Sequence, residues 1–342
     1  MGGIKTSISS FYYTLKETFH SCSNIELALS FIVILFVLYS VQRTISSMSE
    51  KITTEGMENG NDANHKGTEK DSKKTLSMKY MQEKYKVLKG SDIHDPFYVS
   101  IYDSIFSEPS RIEKDVNTVL DHTKHNTSSS LLDIGSGTGL HVRTLHETFK
   151  NIRGLDKSDE MIKYSKKRFP YIDFKVGDAM DNTLFQPSSF SHITMFYFTF
   201  YIFHDTYGIL HNVYSWLKPG GYLVVHLVNR KMFDPILSLA NPIQFVSPQK
   251  YAEKRITTSE IKFNDFKYKS DFVLDDVQNT AIFEETLKHD KTGNVRKHIH
   301  TSTAPKLKIV IDTAEKVGFK VVKKIDMTDI QYEYQYLYVL QK

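Results

Sequence analysis

The chain has 342 residues, of which 40% are hydrophobic and 25% are charged, so it can bury a substantial core in one or two domains. Its formal net charge is only +4 and its lysines are spread along the chain, which argues against nucleic-acid binding. Its single cysteine, Cys22, excludes an intrachain disulfide and favours a reducing compartment for the globular part.

The N-terminal quarter of the chain contains one long apolar run. Residues 1–24 form a mixed segment that fits the short N-myristoylation pattern at Gly2, a pattern so common by chance that modification stays open. Residues 25–42 are then almost entirely apolar and reach the lower limit of a bilayer span. A cleaved signal peptide would lie nearer the start, and a buried helix would need a folded neighbour. The run therefore predicts a transmembrane helix, with flanking charges too balanced to give its orientation.

The composition changes twice after this run. Residues 43–77 are mostly polar and charged, which predicts a disordered linker, whereas residues 78–342 have the pattern of a globular domain. This domain opens with a helical pattern over Met78–Leu88. Asp95-Pro96 and Pro109 are typical helix starts and predict two further helices.

From residue 131 onward, strands alternate with helices. The predicted strands are Leu131–Ile134, Ile152–Leu155, Ile172–Val176, Ile193–Phe198 and Tyr222–Val228. Such alternation predicts a parallel sheet with helices on both faces. Residues 229–305 interrupt the pattern and predict an insertion with three antiparallel strands. A helix over Pro305–Val317 and two strands, Phe319–Ile325 and Tyr334–Leu340, complete the chain.

A glycine-rich turn between the first predicted strand and its helix predicts a nucleotide-type ligand site. It reads Leu132-Asp133-Ile134-Gly135-Ser136-Gly137-Thr138-Gly139, and its glycines let the backbone take strained angles close to a ligand. Gly139 lies one position earlier than the third glycine of a dinucleotide fingerprint. Asp156 follows the second strand, where an acid can accept hydrogen bonds from ribose hydroxyls. Asp178 and Ala179 follow the third strand and can read the edge of an adenine, while Met161 can pack on its face.

These segments, together with Trp216-Leu217-Lys218-Pro219-Gly220-Gly221, resemble the class I S-adenosylmethionine-dependent methyltransferases of the small-molecule type, over roughly Tyr98 to Leu340. The resemblance implies a Rossmann-like α/β fold whose seven-stranded sheet has an antiparallel last strand. It also implies S-adenosylmethionine as cofactor. The cofactor-binding residues implied by the resemblance are Asp133, Gly135, Ser136, Gly137, Gly139, Asp156, Lys157, Met161, Asp178 and Ala179.

The acceptor side is less defined by the sequence. The fourth strand ends without the Asn/Asp-Pro-Pro-Tyr signature of enzymes that methylate bases or amide side chains, and the chain shows no Lys-Asp-Lys-Glu arrangement typical of ribose methylation. Tyr197, Thr199 and His204 are the candidate catalytic residues, with a general base needed only if the acceptor arrives protonated. Tyr197 and Thr199 could instead pack the rim of the sheet, and His204 could merely precede a helix capped by Asp205.

Two further groups of side chains have alternative interpretations. Tyr98 and Tyr102 precede the sheet, where in similar methyltransferases aromatic residues cover the cofactor, but core packing explains them equally well. His298 and His300 share one face of a predicted strand. A metal ion would need more ligands than these two, so no metal site is predicted and both histidines are expected to be solvated.

The sequence as a whole predicts a membrane-anchored S-adenosylmethionine-dependent methyltransferase that acts on a small-molecule acceptor by proximity and orientation. Lipid or quinone methylation, and a non-catalytic binding protein with this fold, are the alternatives. The resemblance implies that the insertion roofs the acceptor site or pairs subunits in a homodimer. Because the cofactor is a cytosolic metabolite, we expect the catalytic domain to face the cytosol.

Overall fold

The computed structural model describes residues 79–237, 240, 249 and 252–342, and these all belong to one unit, Lys70–Lys342. The predicted N-terminal segment, transmembrane helix at residues 25–42 and linker lie outside the described residues. Among the residues described, no helix has the length and hydrophobicity of a membrane span.

The described helices and strands follow an alternating order in the middle of the chain. The helices are α1 (Pro96–Phe106), α2 (Pro109–His122), α3 (Leu140–Leu145), α4 (Asp159–Arg168), α5 (Thr206–Trp216) and α6 (Leu307–Val317). The strands are β1 (Tyr85–Lys89), β2 (Ser130–Ile134), β3 (Asn151–Asp156), β4 (Asp173–Val176), β5 (Phe190–Met195), β6 (Leu217–Val228), β7 (Thr258–Lys262), β8 (Phe266–Asp275), β9 (Thr280–His289), β10 (Val295–Thr303), β11 (Lys320–Met327) and β12 (Tyr332–Gln341).

The larger sheet has seven strands in the order β4-β3-β2-β5-β6-β12-β11. Its first five strands are parallel, and β12 pairs antiparallel with both β6 and β11. Every residue of β2 is buried, as expected for a central parallel strand covered on both faces. The predicted seven-stranded α/β sheet with an antiparallel last strand is therefore confirmed.

The helices begin where the sequence places their caps. Asp95 accepts a hydrogen bond from the backbone N–H of Tyr98 at 3.0 Å, and Pro96 follows as the first residue of α1. Pro109 is likewise the first residue of α2. Gly318 ends α6 with a φ of 123°, a conformation that favours glycine.

A second, five-stranded sheet, which we call the lid sheet, has the order β1-β10-β9-β8-β7. Four of its strands come from residues 258–303, one more than predicted, and pair antiparallel. The fifth, β1, corrects the predicted helix over Met78–Leu88, because Tyr85–Lys89 is a strand that pairs parallel with Val295–Ile299. The backbone hydrogen bonds offered by β10 outweigh the local helical pattern, as tertiary context often does.

Candidate functional site

The glycine turn connects β2 to α3 and approaches other backbone closely. Gly135, Gly137 and Gly139 all have positive φ, at 73°, 52° and 85°. A Cβ on Gly135 would lie 2.5 Å from the Thr199 side chain, so only glycine fits there. The N–H groups of Gly135 and Ser136 both donate to the carbonyl of Leu155, at 2.8 and 3.0 Å, which fixes the turn against β3.

Asp156 at the end of β3 joins the turn through its carboxylate. It accepts hydrogen bonds from the backbone N–H of Gly137 at 2.9 Å and of Ser158 at 2.8 Å. Burial raises the pKa of Asp156, and these backbone hydrogen bonds partly oppose that rise. The structure thus brings Asp156 to the glycine turn.

The end of β4 brings Asp178 beside the same rim. Asp178 accepts a hydrogen bond from Lys157 Nζ at 2.7 Å and from the Met180 N–H at 3.0 Å. Partial burial raises the pKa of Asp178, but the Lys157 and Met180 hydrogen bonds outweigh it, so its net pKa is below the ordinary value. Lys157 and Asp178 therefore form an exposed ion pair between the ends of β3 and β4.

Asn212 is a positioning residue that the sequence reasoning missed. Its amide donates to the carbonyls of Ala179 and Met180, at 2.9 and 3.1 Å, and so holds the loop after β4 against α5. The available signal was a polar side chain on the apolar face of α5, where Asn212 is buried among Ile209 and Val213.

The remaining predicted cofactor residues, Asp133, Met161 and Ser136, are all buried. Asp133 is buried and accepts a hydrogen bond from Thr194 Oγ1 at 2.7 Å. Met161 is buried in the first turn of α4. The hydroxyl of Ser136 is also buried, and it has no hydrogen-bond partner among the described residues. A buried hydroxyl without a partner is costly, and it marks a place where a polar ligand group would bind.

These features fit S-adenosylmethionine. The glycine turn leaves room that a Cβ would fill, Ser136 offers an unused hydroxyl, and Asp156 offers a carboxylate for ribose hydroxyls. The bound cofactor would supply a methyl group already activated on a sulfonium.

The segment after β5 carries Tyr197 and Thr199. Tyr197 has a φ of 54°, which is strained for a large aromatic residue and is typical of functional sites. Its carbonyl accepts a hydrogen bond from His226 Nδ1. Its ring lies 4.3 Å from the buried Arg111 guanidinium and 6.3 Å from the Phe106 ring. Thr199, two residues after Tyr197, abuts Gly135, so this segment passes beside the glycine turn.

His204 and Asp205 lie farther along the same segment. Asp205 accepts a hydrogen bond from the Gly208 N–H at 2.9 Å and caps α5, as its alternative interpretation predicted. His204 is exposed, one residue before this cap. No structural observation assigns His204 a contact with the residues of the glycine turn.

Helix α1 connects the glycine turn to the lid sheet. Asp103 accepts hydrogen bonds from Thr138 Oγ1 and from Arg168 Nη1, both at 2.6 Å. The ring of Tyr102 packs 4.8 Å from Phe106 and 5.9 Å from Tyr98. Burial raises the pKa of Tyr102, and the charge of Asp156 and other neighbouring acidic groups raises it further. The sequence did not indicate that Asp103 ties this helix to the turn.

The inner face of the lid sheet carries a buried carboxylate, Glu285. Its donors are the hydroxyls of Tyr98 and Tyr268, both at 2.7 Å, His298 Nδ1 at 3.2 Å and His300 Nε2 at 2.6 Å. The expectation of solvated histidines is wrong, because His298 is fully buried and the His300 side chain is only 28% exposed. The sequence could not reveal Glu285 as their partner, since it lies on the neighbouring strand β9.

Glu285, His298 and His300 offer ligand atoms within 4.8 Å of one another, close enough for a metal ion by distance alone. The hydrogen bonds argue for a different role. Arg296 Nε donates to His298 Nε2 at 2.6 Å, so His298 directs its other ring nitrogen, carrying hydrogen, at Glu285. Two tyrosine hydroxyls and two histidine N–H groups around one carboxylate form a satisfied polar network.

Two protein relatives resemble part of this chain. A dTDP-4-amino-2,3,4,6-tetradeoxy-D-glucose N,N-dimethyltransferase from Saccharopolyspora spinosa is 30% identical over 141 residues, which is 40% of this chain and 56% of the relative. A dTDP-3-amino-3,4,6-trideoxy-alpha-D-glucopyranose N,N-dimethyltransferase from Streptomyces venezuelae is 28% identical over 137 residues, 40% of this chain and 55% of the relative. The matches thus span about half the length of these relatives.

Solved structures share the fold at low sequence identity. An S-adenosylmethionine-dependent methyltransferase from Clostridium acetobutylicum has a TM-score of 0.53 at 14% identity, covering 71% of this chain and 95% of its own. The CcbJ methyltransferase from Streptomyces caelestis has a TM-score of 0.54 at 13% identity, with the same coverage of 71% and 95%.

A family profile described as a methyltransferase domain matches residues 132–225. This range begins in β2 and ends in β6, and it includes the glycine turn, Asp156 and Asp178. The match therefore lies on the strands and loops that carry this site, and this part of the chain is similar to a methyltransferase domain.

Proposed function

We propose that this protein transfers a methyl group from S-adenosylmethionine to an amine nitrogen of a small, sugar-like acceptor. The donor half rests on the glycine turn, where Gly137 is bonded to Asp156 and the buried Ser136 hydroxyl is unpartnered. The acceptor half is supported by the two relatives above, whose names both specify N,N-dimethylation of dTDP-linked amino sugars.

The chain's own residues would mainly align the acceptor and exclude water. A sulfonium is already an excellent methyl donor, so proximity and orientation can supply most of the rate. Tyr197 and Thr199 lie beside the glycine turn and are proposed to border the acceptor. His204 stays a candidate from the sequence, with its exposed side chain as the only structural fact that bears on it.

Calorimetry with S-adenosylmethionine on the full chain tests the donor half. We expect wild-type binding and at least about tenfold weaker binding by Asp156→Ala, since a charged hydrogen-bond acceptor contributes about 1.5–3 kcal/mol. Asp312→Ala is a matched control, because this half-exposed acid lies on α6 and, among the described residues, pairs only with Lys308. Absence of binding by the wild-type chain would contradict the enzymatic proposal and favour a non-catalytic role.

Transfer of a labelled methyl group tests the acceptor half. The probes are a dTDP-linked amino sugar, an amine-bearing phospholipid and a quinol, each offered to the full chain. Labelling of the amino sugar is expected. Labelling of the lipid or the quinol alone would favour the second candidate function, which is lipid or quinone methylation. The apolar run at residues 25–42 is the feature that supports it.

We also propose that residues 25–42 anchor the chain in a membrane and that the catalytic domain faces the cytosol. The apolar composition of the run supports the anchor, and the cytosolic supply of S-adenosylmethionine supports the orientation.

A further inference from the structure

The environment of Glu285 fixes which of its partners can meet a substrate. Arginine has no acceptor atom, so the hydrogen bond from Arg296 Nε requires His298 Nε2 to accept. His298 is therefore neutral and donates from Nδ1 to Glu285, and burial lowers the pKa of His298 in agreement with this. Asp95, at 2.6 Å from Arg296 Nη1, balances the guanidinium charge.

The carboxylate of Glu285 is held by four donors of the protein itself. Its Oε2 accepts from Tyr98, His298 and His300, and its Oε1 accepts from Tyr268. Burial opposes its ionisation, but the hydrogen bonds from the two histidines outweigh burial and hold the pKa of Glu285 far below the ordinary value. Glu285 is thus a fixed buried anion that acts only through its neighbours.

His300 is the partly exposed member of this network. It gives its Nε2 hydrogen to Glu285, so in its neutral form the ring would present the Nδ1 lone pair on its other side. Nδ1 has no hydrogen-bond partner among the described residues, and 28% of the side chain is exposed. Glu285 and His300 thus have the arrangement in which a carboxylate orients an imidazole base.

Among the described residues, the groups that face His300 carry no competing cation. His94 precedes α1, with its ring 6.5 Å away, and burial, followed by the field of His300, lowers the pKa of His94 to about 4. Tyr98 on α1 has its ring 6.3 Å away and is committed to Glu285. His298 on β10 is neutral for the reason above, and Phe283 on β9 is apolar, with its ring at 6.0 Å.

Aromatic rings connect His300 to the rim of the cofactor site. The Phe283 ring lies 6.3 Å from Phe106, and Phe106 lies 6.3 Å from Tyr197. Three residues after His300, Thr303 Oγ1 donates to the carbonyls of Tyr201 and Phe203, at 3.0 and 3.1 Å. Strand β10 is therefore fixed to the segment that follows β5 and carries Tyr197.

We propose that His300, oriented by Glu285, is the general base that takes the proton of the acceptor amine before methylation, an inference that rests on the proposed function. The acceptor arrives as an ammonium and gives one proton to His300 Nδ1. The freed lone pair forms the N–CH₃ bond as the S–CH₃ bond breaks, and sulfur keeps the bonding pair as a thioether. The product is a methylammonium, while the imidazolium is balanced by the Glu285 carboxylate. His300 is the catalytic residue and Glu285 is its positioning residue.

The test measures the rate of methyl transfer from labelled S-adenosylmethionine to a dTDP-linked amino sugar, with the full chain and across pH. His300→Ala should lower kcat about 100-fold or more, the usual contribution of general base catalysis, while calorimetric affinity for S-adenosylmethionine is retained. In the wild-type protein, kcat should fall at acidic pH because the base is then protonated. This acidic limb should be lost in His300→Ala. The kcat of that variant should instead keep rising with pH as the amine itself loses its proton.

Glu285→Gln tests whether Glu285 positions His300. It should lower kcat and move the acidic limb to lower pH, because the amide no longer stabilises the imidazolium. Glu284→Gln is the matched control on the same strand, since Glu284 pairs with Lys297 on the opposite face and its loss should leave the profile unchanged. Thermal unfolding and cofactor calorimetry of each variant separate loss of the fold from loss of the base.

The outcomes distinguish this proposal from the proposed function. If the wild-type chain binds the cofactor but methylates no amine probe, the amine acceptor and the base are both overturned. If the wild-type chain methylates the amino sugar and His300→Ala does so with the same kcat and pH profile, only the base is overturned.

Discussion

At the scale of single residues, the glycine turn is sensitive for two separable reasons. Gly135 combines a positive φ with a close approach, since its Cβ would lie 2.5 Å from Thr199. Gly137 has a positive φ as well, but nothing lies within 4 Å of a Cβ there. One position therefore tests backbone strain alone, and the other tests strain together with overpacking.

We expect Gly137→Ala to lower the free energy of unfolding by about 1–2 kcal/mol, the cost of a left-handed conformation for a residue with a Cβ. Gly135→Ala should cost about 1–3 kcal/mol more, because the added methyl group must displace Thr199. Urea denaturation without cofactor measures both values. Equal losses at the two positions would contradict the close approach of Gly135 to the segment after β5.

Asp133 makes stability depend on pH. Burial raises the pKa of Asp133 from 3.8 to about 6, although its hydrogen bond from Thr194 opposes the rise. A raised carboxyl pKa means that its contribution is complete below about pH 4 and is lost as the pH rises through about 6. Relative to Asp133→Asn, the wild-type free energy of unfolding should fall by about 3 kcal/mol between about pH 4 and about pH 7.5. Parallel pH dependences of the two proteins would show that the carboxyl does not titrate there.

The sequence predicted the positions of Gly135, Asp156 and Asp178 because these residues lie next to strand ends. Gly135, Asp156 and Asp178 each follow a recognisable strand, and parallel strands bring their carboxyl ends to one edge. Glu285 and His300 meet only through the register of β9 with β10, which no short pattern encodes. Asp103 reaches Thr138 across 35 positions of sequence, so it was not predictable either.

At the scale of elements, α5 shows how a local cap supports the site. Asp205 caps its first turn, and Asn212 in its second turn holds the loop of Ala179. The strands were predicted well where apolar runs were continuous, as in β2. The helix predicted over Met78–Leu88 was wrong because β1 is an edge strand whose partner lies more than 200 residues away.

Removal of this cap should be measurable. Asp205→Ala should lower the free energy of unfolding by about 1 kcal/mol, whereas Asp205→Asn keeps a cap acceptor and should change it little. Thermal unfolding monitored by circular dichroism compares the two variants. If Asp205→Asn is as destabilised as Asp205→Ala, the capping hydrogen bond to Gly208 is not the cause.

At the scale of the whole molecule, membrane attachment stays a prediction that fractionation can test. Deletion of residues 1–43 should move the protein from the membrane pellet to the supernatant, because the apolar run is removed. A matched variant that deletes only residues 44–77 should remain in the pellet. Retention of the first variant in the pellet would exclude residues 25–42 as the sole anchor.

Homodimer formation through the lid sheet also stays a prediction. Strand β7 lies at the outer edge of that sheet and is the natural place for a second copy to pair. Sedimentation of the full chain in mild detergent should give twice the monomer mass, and Ile261→Lys should reduce it to the monomer. A monomeric wild-type protein would contradict the pairing.

The parallel pairing of β1 with β10 has a consequence for how this protein could be re-engineered or recombined in evolution. The lid sheet is encoded in two distant stretches of the gene, one before α1 and one after β6. An exchange of residues 229–305 with those of a relative would therefore pair strand β1 (Tyr85–Lys89) of this protein with the β10 strand of the relative. We therefore expect chimeras to fold when the segment before α1 and the segment after β6 come from the same parent. Specificity would then be transferred only when both segments are exchanged together.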